Sequence, residues 1–162
     1  MTIDLNKFCG GENEIHSYLR QPFRHNGQII ATNGHIIISI QDDGREASTP
    51  TKELTDLVDK IFTRTMDTYA PVSGIYIPEA EKCKHCGNPD YQDEEGVCVC
   101  DDTGFVLHQN VLVGATTFAR RYLALIAELP NAEIGVSVDE KLWQVPFRFD
   151  GGQGYVMPMR VR

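Results

Sequence analysis

Positive charge is in short supply along this chain: 15 lysines and arginines face 23 aspartates and glutamates, a net −8 over 162 residues. Such a balance argues against broad adhesion to the phosphate backbone of nucleic acid. Long apolar runs are missing as well. A helix needs about 20 consecutive apolar residues to cross a bilayer, nothing here approaches that, and no apolar signal segment opens the sequence. The expectation is a soluble, cytoplasmic protein with no membrane partner. Catalytic signatures are absent too. There is no H-E-x-x-H, no H-x-E paired with P-C-x-x-C, and no G-x-x-x-x-G-K, while Gly151-Gly152-Gln153-Gly154 leads into a strand and not a helix. His16, His25, His35, His85 and His108 are scattered and read as surface or hydrogen-bonded groups. A non-enzymatic protein is expected.

What the chain does hold is a cluster of cysteines. Cys83, Cys86, Cys98 and Cys100 follow the pattern C-x2-C-x11-C-x-C. Thiolates are soft ligands that suit tetrahedral Zn2+, and four protein ligands leave no open position for water or substrate. The spacing therefore predicts a structural zinc site. Cys83-Lys84-His85-Cys86-Gly87 has the tight-turn form of a zinc knuckle, in which glycine lets the backbone curl so that amides face the sulfurs. A single residue between Cys98 and Cys100 leaves that half less slack. Two other chemistries compete. A thiol–disulfide redox motif sits at a helix start after a strand, a context that nothing around Cys83 supplies. Secreted disulfides would leave Cys9 over. His85 is a candidate to replace one cysteine, and Cys9 reads as a free, partly buried thiol.

An apolar content of 41% over this length supports one domain, residues 1–162, with a core independent of the metal. The cysteines then belong to an insertion, residues 78–104. Acidity is concentrated there: residues 79–102 hold Glu79, Glu81, Asp90, Asp93, Glu94, Glu95, Asp101 and Asp102 against Lys82 and Lys84, six of the chain's eight net negative charges. Such a segment is either a solvated loop or a contact surface for a basic partner, which would make the protein an acidic zinc-containing inhibitor or mimic. A nucleic-acid-binding zinc protein is a further alternative that this charge opposes.

Around the insertion the chain reads as two similar halves. In the first, β-rich runs at 21–25, 28–32 and 35–40 are separated by Asn26-Gly27 and Asn33-Gly34, both suited to type I′ hairpins. A two-residue turn at Asn33-Gly34 pairs Thr32 with His35 and Ile29 with Ile38. That register makes Ile29, Ala31, Ile36, Ile38 and Ile40 one apolar, core-facing side and puts Gln28, Thr32, His35 and Ser39 on the other. Thr49 and Pro50 then open a helix with Leu54, Leu57, Val58, Ile61 and Phe62 on one face and Lys52, Asp56 and Lys60 outside. A short strand is expected near 74–77. In the second half Thr116 or Thr117 caps a helix whose Phe118, Tyr122, Leu125, Ile126 and Leu129 recur at helical spacing, with Arg120, Ala124 and Ala127 behind and Pro130 as the stop. Strands are expected at 133–138, 142–149 and 155–161, the last two joined by a glycine-rich turn at 150–154.

Two segments resemble a known family. Tyr18-Leu19-Arg20 through Ala31-Thr32-Asn33-Gly34-His35-Ile36-Ile37 is similar to the segment of the bacterial DNA polymerase III sliding clamp (β subunit) that ends in A-T-D-G-H-R-L, with Asn33 in place of Asp and Ile36 in place of Arg. Tyr155-Val156-Met157-Pro158-Met159-Arg160-Val161 resembles that family's closing V-V-M-P-M-R-L. The resemblance implies an α+β clamp-like domain of two βαβββ units with the helices on one side of the sheets. It also implies a surface pocket for short linear peptides of polymerases and repair proteins. Its residues here would be Thr32, Gly34, His35 and Ile37 with Met157, Pro158, Met159, Arg160 and Val161. Methionines repack around varied apolar anchors, and an arginine at the rim meets a peptide carboxylate. One domain is too little for a ring, and basic residues on the helices are few. The expected role is an adaptor or regulator, monomeric or homodimeric, near DNA replication or phage takeover of a host, with a protein or peptide as partner.

Overall fold

Asn26 and Gly27 adopt positive φ angles of 50° and 71°, the left-handed pair that a type I′ turn requires. They join β1 (Phe23–His25) to β2 (Gln28–Thr32) in a tight hairpin with His25 opposite Gln28. The computed structural model describes residues 2–101, 103–107, 109–141 and 143–160. Within these the protein is mixed α+β, largely antiparallel sheet with two α-helices.

The second Asn-Gly does not make the tight turn that its sequence suggests. Asn33 Oδ1 accepts hydrogen bonds from the backbone N–H groups of His35 (2.9 Å) and Ile36 (3.1 Å). Thr32 Oγ1 donates to Ile36 O (2.8 Å) and accepts from Gly34 N (3.1 Å). This side-chain network competes with the ladder and widens the connection. Thr32 therefore pairs with Ile37 and Ile29 with Ile40 on β3 (Ile36–Gln41), two positions beyond the expected register. An even displacement keeps every side chain on its side of the sheet. Ile29, Ala31, Ile36, Ile38 and Ile40 accordingly all enter the larger core.

The opposite side is not the polar surface anticipated. Ile30 and Ile37 also lie there, and water contact would forgo about 1.5–3 kcal/mol for each. They are buried with Phe23 and Tyr155 beneath Leu54 and Val58 of α1 (Lys52–Ile61). Thr51, not Thr49, caps this helix through Oγ1, which accepts from Leu54 N. Lys52 and Asp56 form an exposed ion pair at 2.7 Å, so the charged outer face is as expected.

After α1 the chain forms β4 (Tyr69–Pro71) and a 3-10 turn at Val72–Gly74, so the strand expected near 74–77 lies several residues earlier. The acidic cysteine segment follows. β5 (Asn110–Val113) and β6 (Thr116–Ala119) make a separate hairpin. The threonines expected to cap a helix belong to this strand: Thr116 is buried and its Oγ1 accepts from Lys141 N (3.1 Å). Helix α2 (Arg120–Ala127) starts without a side-chain cap, and Arg120 N instead donates to Gln109 O at 2.7 Å. β7 (Glu133–Gly135), β8 (Val145–Phe149) and β9 (Gly152–Val156) complete the strands among the described residues. β7 stops short of residue 138. The β8–β9 turn is only Asp150-Gly151, the remaining glycines being strand residues.

Seven strands make one sheet in the order β1-β2-β3-β9-β8-β7-β4. Two three-stranded meanders thus abut at β3 and β9, with Ile38 opposite Gly154. Tyr122, Leu123 and Ile126 of α2 pack with Ile29, Ala31, Ile36 and Ile38, whereas Leu54 and Val58 of α1 pack with Ile30 and Ile37. The helices therefore lie on opposite faces, which corrects the expectation that both lie on one side. Alternation along β2 and β3 is apolar on both sides, and each face needs its own cover.

Candidate functional site

Two sites emerge. The first gathers the four cysteines. His85 N donates to Cys83 Sγ (3.4 Å), and Gly87 takes a φ of 82°, so the first pair closes in the knuckle turn expected. The second pair is positioned by a short return of chain. Asp93 Oδ1 accepts from Glu95 N and Val97 N, both at 2.9 Å, and Val99 N donates to Tyr91 O (3.0 Å). Beyond it, Asp101 N donates to Cys98 O (2.8 Å) and Thr103 N to Cys100 O (3.1 Å). The single intervening residue is accommodated because Asp101 adopts a positive φ of 52° and turns the chain away.

The four Sγ atoms all lie within 4.8 Å of one another. Sγ of Cys83 is 3.8 Å from that of Cys98, and Cys86 is 3.6 Å from Cys100. With metal–sulfur bonds of about 2.3 Å, tetrahedral ligands sit about 3.8 Å apart, so the set fits one ion. His85 is not among these ligands and stacks on Tyr91 with ring centroids 3.7 Å apart. Crowding couples the thiols. Hydrogen bonding to Cys100 pushes Cys86 up to about 12. Burial pushes Cys100 up, but hydrogen bonds from Gly104 N–H and the other three thiols prevail and hold it down to about 7. A cation displaces these protons and relieves the crowding.

This segment has almost no core of its own. Among the described residues from 78 to 109, Cys98 and Cys100 alone are buried. It is tied to the body at its base, where Arg120 Nε donates to Pro78 O (2.5 Å) and Gln109 bonds Glu79 O and Glu81 N. Its seven described acids, Glu79 to Asp101, are exposed; Asp102 and His108 lie outside the described residues.

The second site is a cavity of about 280 Å³ under α1. Thr32, Gly34, His35 and Ile37 from the first of the two sequence signatures line it together with Met157 from the second. Met157 N donates to His35 O (2.8 Å), which ties the signatures together across 122 positions of chain. Leu54, Leu57, Val58 and Ile61 form the helical wall, and Tyr18 and Leu19 close one end. Tyr155 forms part of the floor, fixed by its hydroxyl donating to Arg64 O (2.7 Å) and by edge contact with Phe62. Leu57 is 52% exposed at the rim, the one wall residue of α1 left in water to that degree.

Pro158, Met159 and Arg160 do not line the cavity, and Val161 lies outside the described residues. Met159 N donates to Thr117 O (2.7 Å), and its side chain packs on the larger core. The helical wall and Tyr18 were not legible as site residues in the sequence, where Leu57 reads as one more member of the apolar stripe of α1 and only the structure shows it exposed. A larger groove of about 680 Å³ around Trp143 contains no residue of either signature. Cys9 joins neither site. Half-buried, it donates to Leu5 O, and burial pushes its thiol up to about 11. At pH 8 the thiolate is therefore scarce, and iodoacetamide is expected to leave Cys9 unmodified in the native protein but to alkylate it in denaturant, as read by peptide mass.

No family model matches the chain, and neither the curated proteins nor the solved structures contain a match. Among the described residues no helix is long and apolar enough to cross a membrane.

Proposed function

We propose that the protein is a non-enzymatic adaptor on a clamp-like scaffold, which docks a short linear peptide in the cavity beneath α1 and carries a structural zinc ion in the cysteine segment. The observation that carries this reading is the meeting of Thr32, Gly34, His35 and Ile37 with Met157 around one apolar cavity. Those residues were expected together from the clamp resemblance alone. An apolar, partly open slot with a helical wall suits the buried anchors of a peptide, and polar rim groups such as His35 and Gln144 suit its backbone. The non-enzymatic part of the reading is supported by the described histidines: His16 lies beside Tyr18, His25 pairs with Asp59, His35 stacks on Tyr122 and His85 on Tyr91, so no two of these four are partners. Replication or host takeover is the setting that the resemblance suggests.

Fluorescence anisotropy with a labelled clamp-binding peptide tests the docking. Leu57→Asp and Met157→Ala are each expected to weaken binding about tenfold or more, the loss of a central apolar anchor contact. Met159→Ala, which changes a residue outside the cavity, should leave affinity within about twofold. No saturable binding to the wild type, or equal loss in all three variants, removes the reading.

A further inference from the structure

We propose that the cysteine cluster is an oxidation site: peroxide is first reduced at Cys86, and the four thiols end as two disulfides, Cys86–Cys100 and Cys83–Cys98. The proposal rests on the metal reading above. It is carried by three observations. Cys86 is exposed, while Cys98 and Cys100 are buried and Cys83 is half-buried, so an oxidant in solution meets Cys86 first. Its sulfur lies 3.6 Å from that of Cys100, and the remaining two lie 3.8 Å apart. Each pair joins the first knuckle to the second, so the bridges would repeat the cross-link that the ion provides.

Electrons and atoms balance at each step. With a cation held in the site Cys86 would be deprotonated whatever its proton affinity in the empty cluster, and its thiolate attacks one oxygen of hydrogen peroxide, forming an S–O bond as the O–O bond breaks and hydroxide leaves. The product is a sulfenic acid. The Cys100 thiolate then attacks that sulfur, the S–S bond forms, and a second hydroxide departs. Two electrons have passed from two sulfurs to one peroxide. Cys83 and Cys98 repeat the sequence with a second peroxide, and an ion held by these four sulfurs would lose its ligands. Oxidation would thus exchange a removable cross-link for covalent ones, keeping residues 79–107 folded where chelation alone would open them. Exposure decides the order of attack, and proximity decides the partner.

The experiment uses the protein as purified. Elemental analysis first gives the metal content, which tests the metal reading separately. Hydrogen peroxide is then titrated with a colorimetric zinc indicator present, and aliquots are trapped with dimedone and mapped by mass spectrometry. The expected result is about two peroxides consumed per chain, loss of four hydrogens relative to the fully reduced chain, early dimedone adducts at Cys86 at least tenfold above the other cysteines, and Cys86–Cys100 and Cys83–Cys98 peptides. Release of the ion should parallel bridge formation. Local Cys83–Cys86 and Cys98–Cys100 bridges, first trapping at a buried cysteine, or accumulation of sulfinic acid without bridges would overturn the proposal. Metal-free protein would sink the metal reading, and the mapped bridges would still decide the oxidation chemistry.

Discussion

Chelating the ion from the purified protein is expected to unfold residues 79–107 and leave the seven-stranded sheet intact. Little besides the four-cysteine site would hold that segment in place. Outside the cysteines, it buries no side chain among the described residues, and its turns are held by a few exposed hydrogen bonds, such as those of Asp93 with Glu95, Gly96 and Val97, and Val99 N to Tyr91 O. Each is worth about 0.5–1.5 kcal/mol net, too little against an ordering cost of about 1–2 kcal/mol per residue. A four-thiolate zinc site contributes about 10–16 kcal/mol of apparent binding free energy at neutral pH. Removing it leaves the segment without a term of comparable size. Neither hydrophobic core includes a described residue from 79 to 107, so the body is expected to keep its stability. Hydrogen exchange read by mass spectrometry should show protection lost at residues 83–103 on chelation, while β2, β3 and β9 exchange as before. Cys98→Ser should reproduce the effect, and zinc should be found at one ion per chain in the wild type only. A segment that stays protected without metal, or a body that melts along with it, contradicts the account. The direction with pH also follows. Protons compete with the ion for thiolates, so the metal should be lost as pH falls.

Much of this architecture was legible in the residues, and the misses have identifiable causes. Asn-Gly pairs announced the first meander, and the spacing of Leu54, Val58 and Ile61 announced α1. The four cysteines declared themselves because ligand spacing is a local property. Register was not local in the same way. At Asn33 the side-chain amide captures two backbone donors, and a Thr32 hydroxyl consumes Ile36 O, so the turn chemistry suggested by Asn-Gly was overridden by its own neighbours. The face assignment survived because the displacement was even. The Thr116-Thr117-Phe118 run satisfies either a cap or a strand, and pairing with Asn110–Val113 across Gly114-Ala115 makes it a strand, to which Lys141 adds a backbone N–H donated to Thr116 Oγ1 from 25 positions away. The cavity likewise depends on α1 crossing the far side of the sheet from α2, a placement set by Ile30 and Ile37 requiring cover.

Replacing Gly154 with alanine is expected to destabilise the body heavily, although the change adds only one methyl group. Gly154 stands in β9 between Ile38 of β3 and Phe147 of β8, at the seam where the two meanders join. A Cβ added there would lie 2.2 Å from Ile37 O and 2.3 Å from Phe147 Cζ. Neither neighbour can give way cheaply, since one is ladder backbone and the other is a ring with 1% exposure. The phenyl ring lies over the glycine because no side chain occupies that face, and Phe149 lies over Gly152 in the same manner. Glycine is thus a packing requirement at these positions, independent of any special φ. Overpacking of this kind costs about 1–3 kcal/mol and more where the backbone must shift, so about 3 kcal/mol or more is expected. For a chain of this length that corresponds to a fall in Tm on the order of 6–12 °C. Gly74→Ala is the control: no atom lies within 4 Å of the added Cβ and φ is not positive, so its Tm should stay within about 2 °C. A large drop for Gly154→Ala with a silent Gly74→Ala locates the strain at the β3–β9–β8 seam. Combining Gly154→Ala with Phe147→Leu should recover part of the loss, because removing the ring tip frees the space that the new methyl needs. Equal Tm values for Gly154→Ala and wild type would mean that the two meanders do not meet as described.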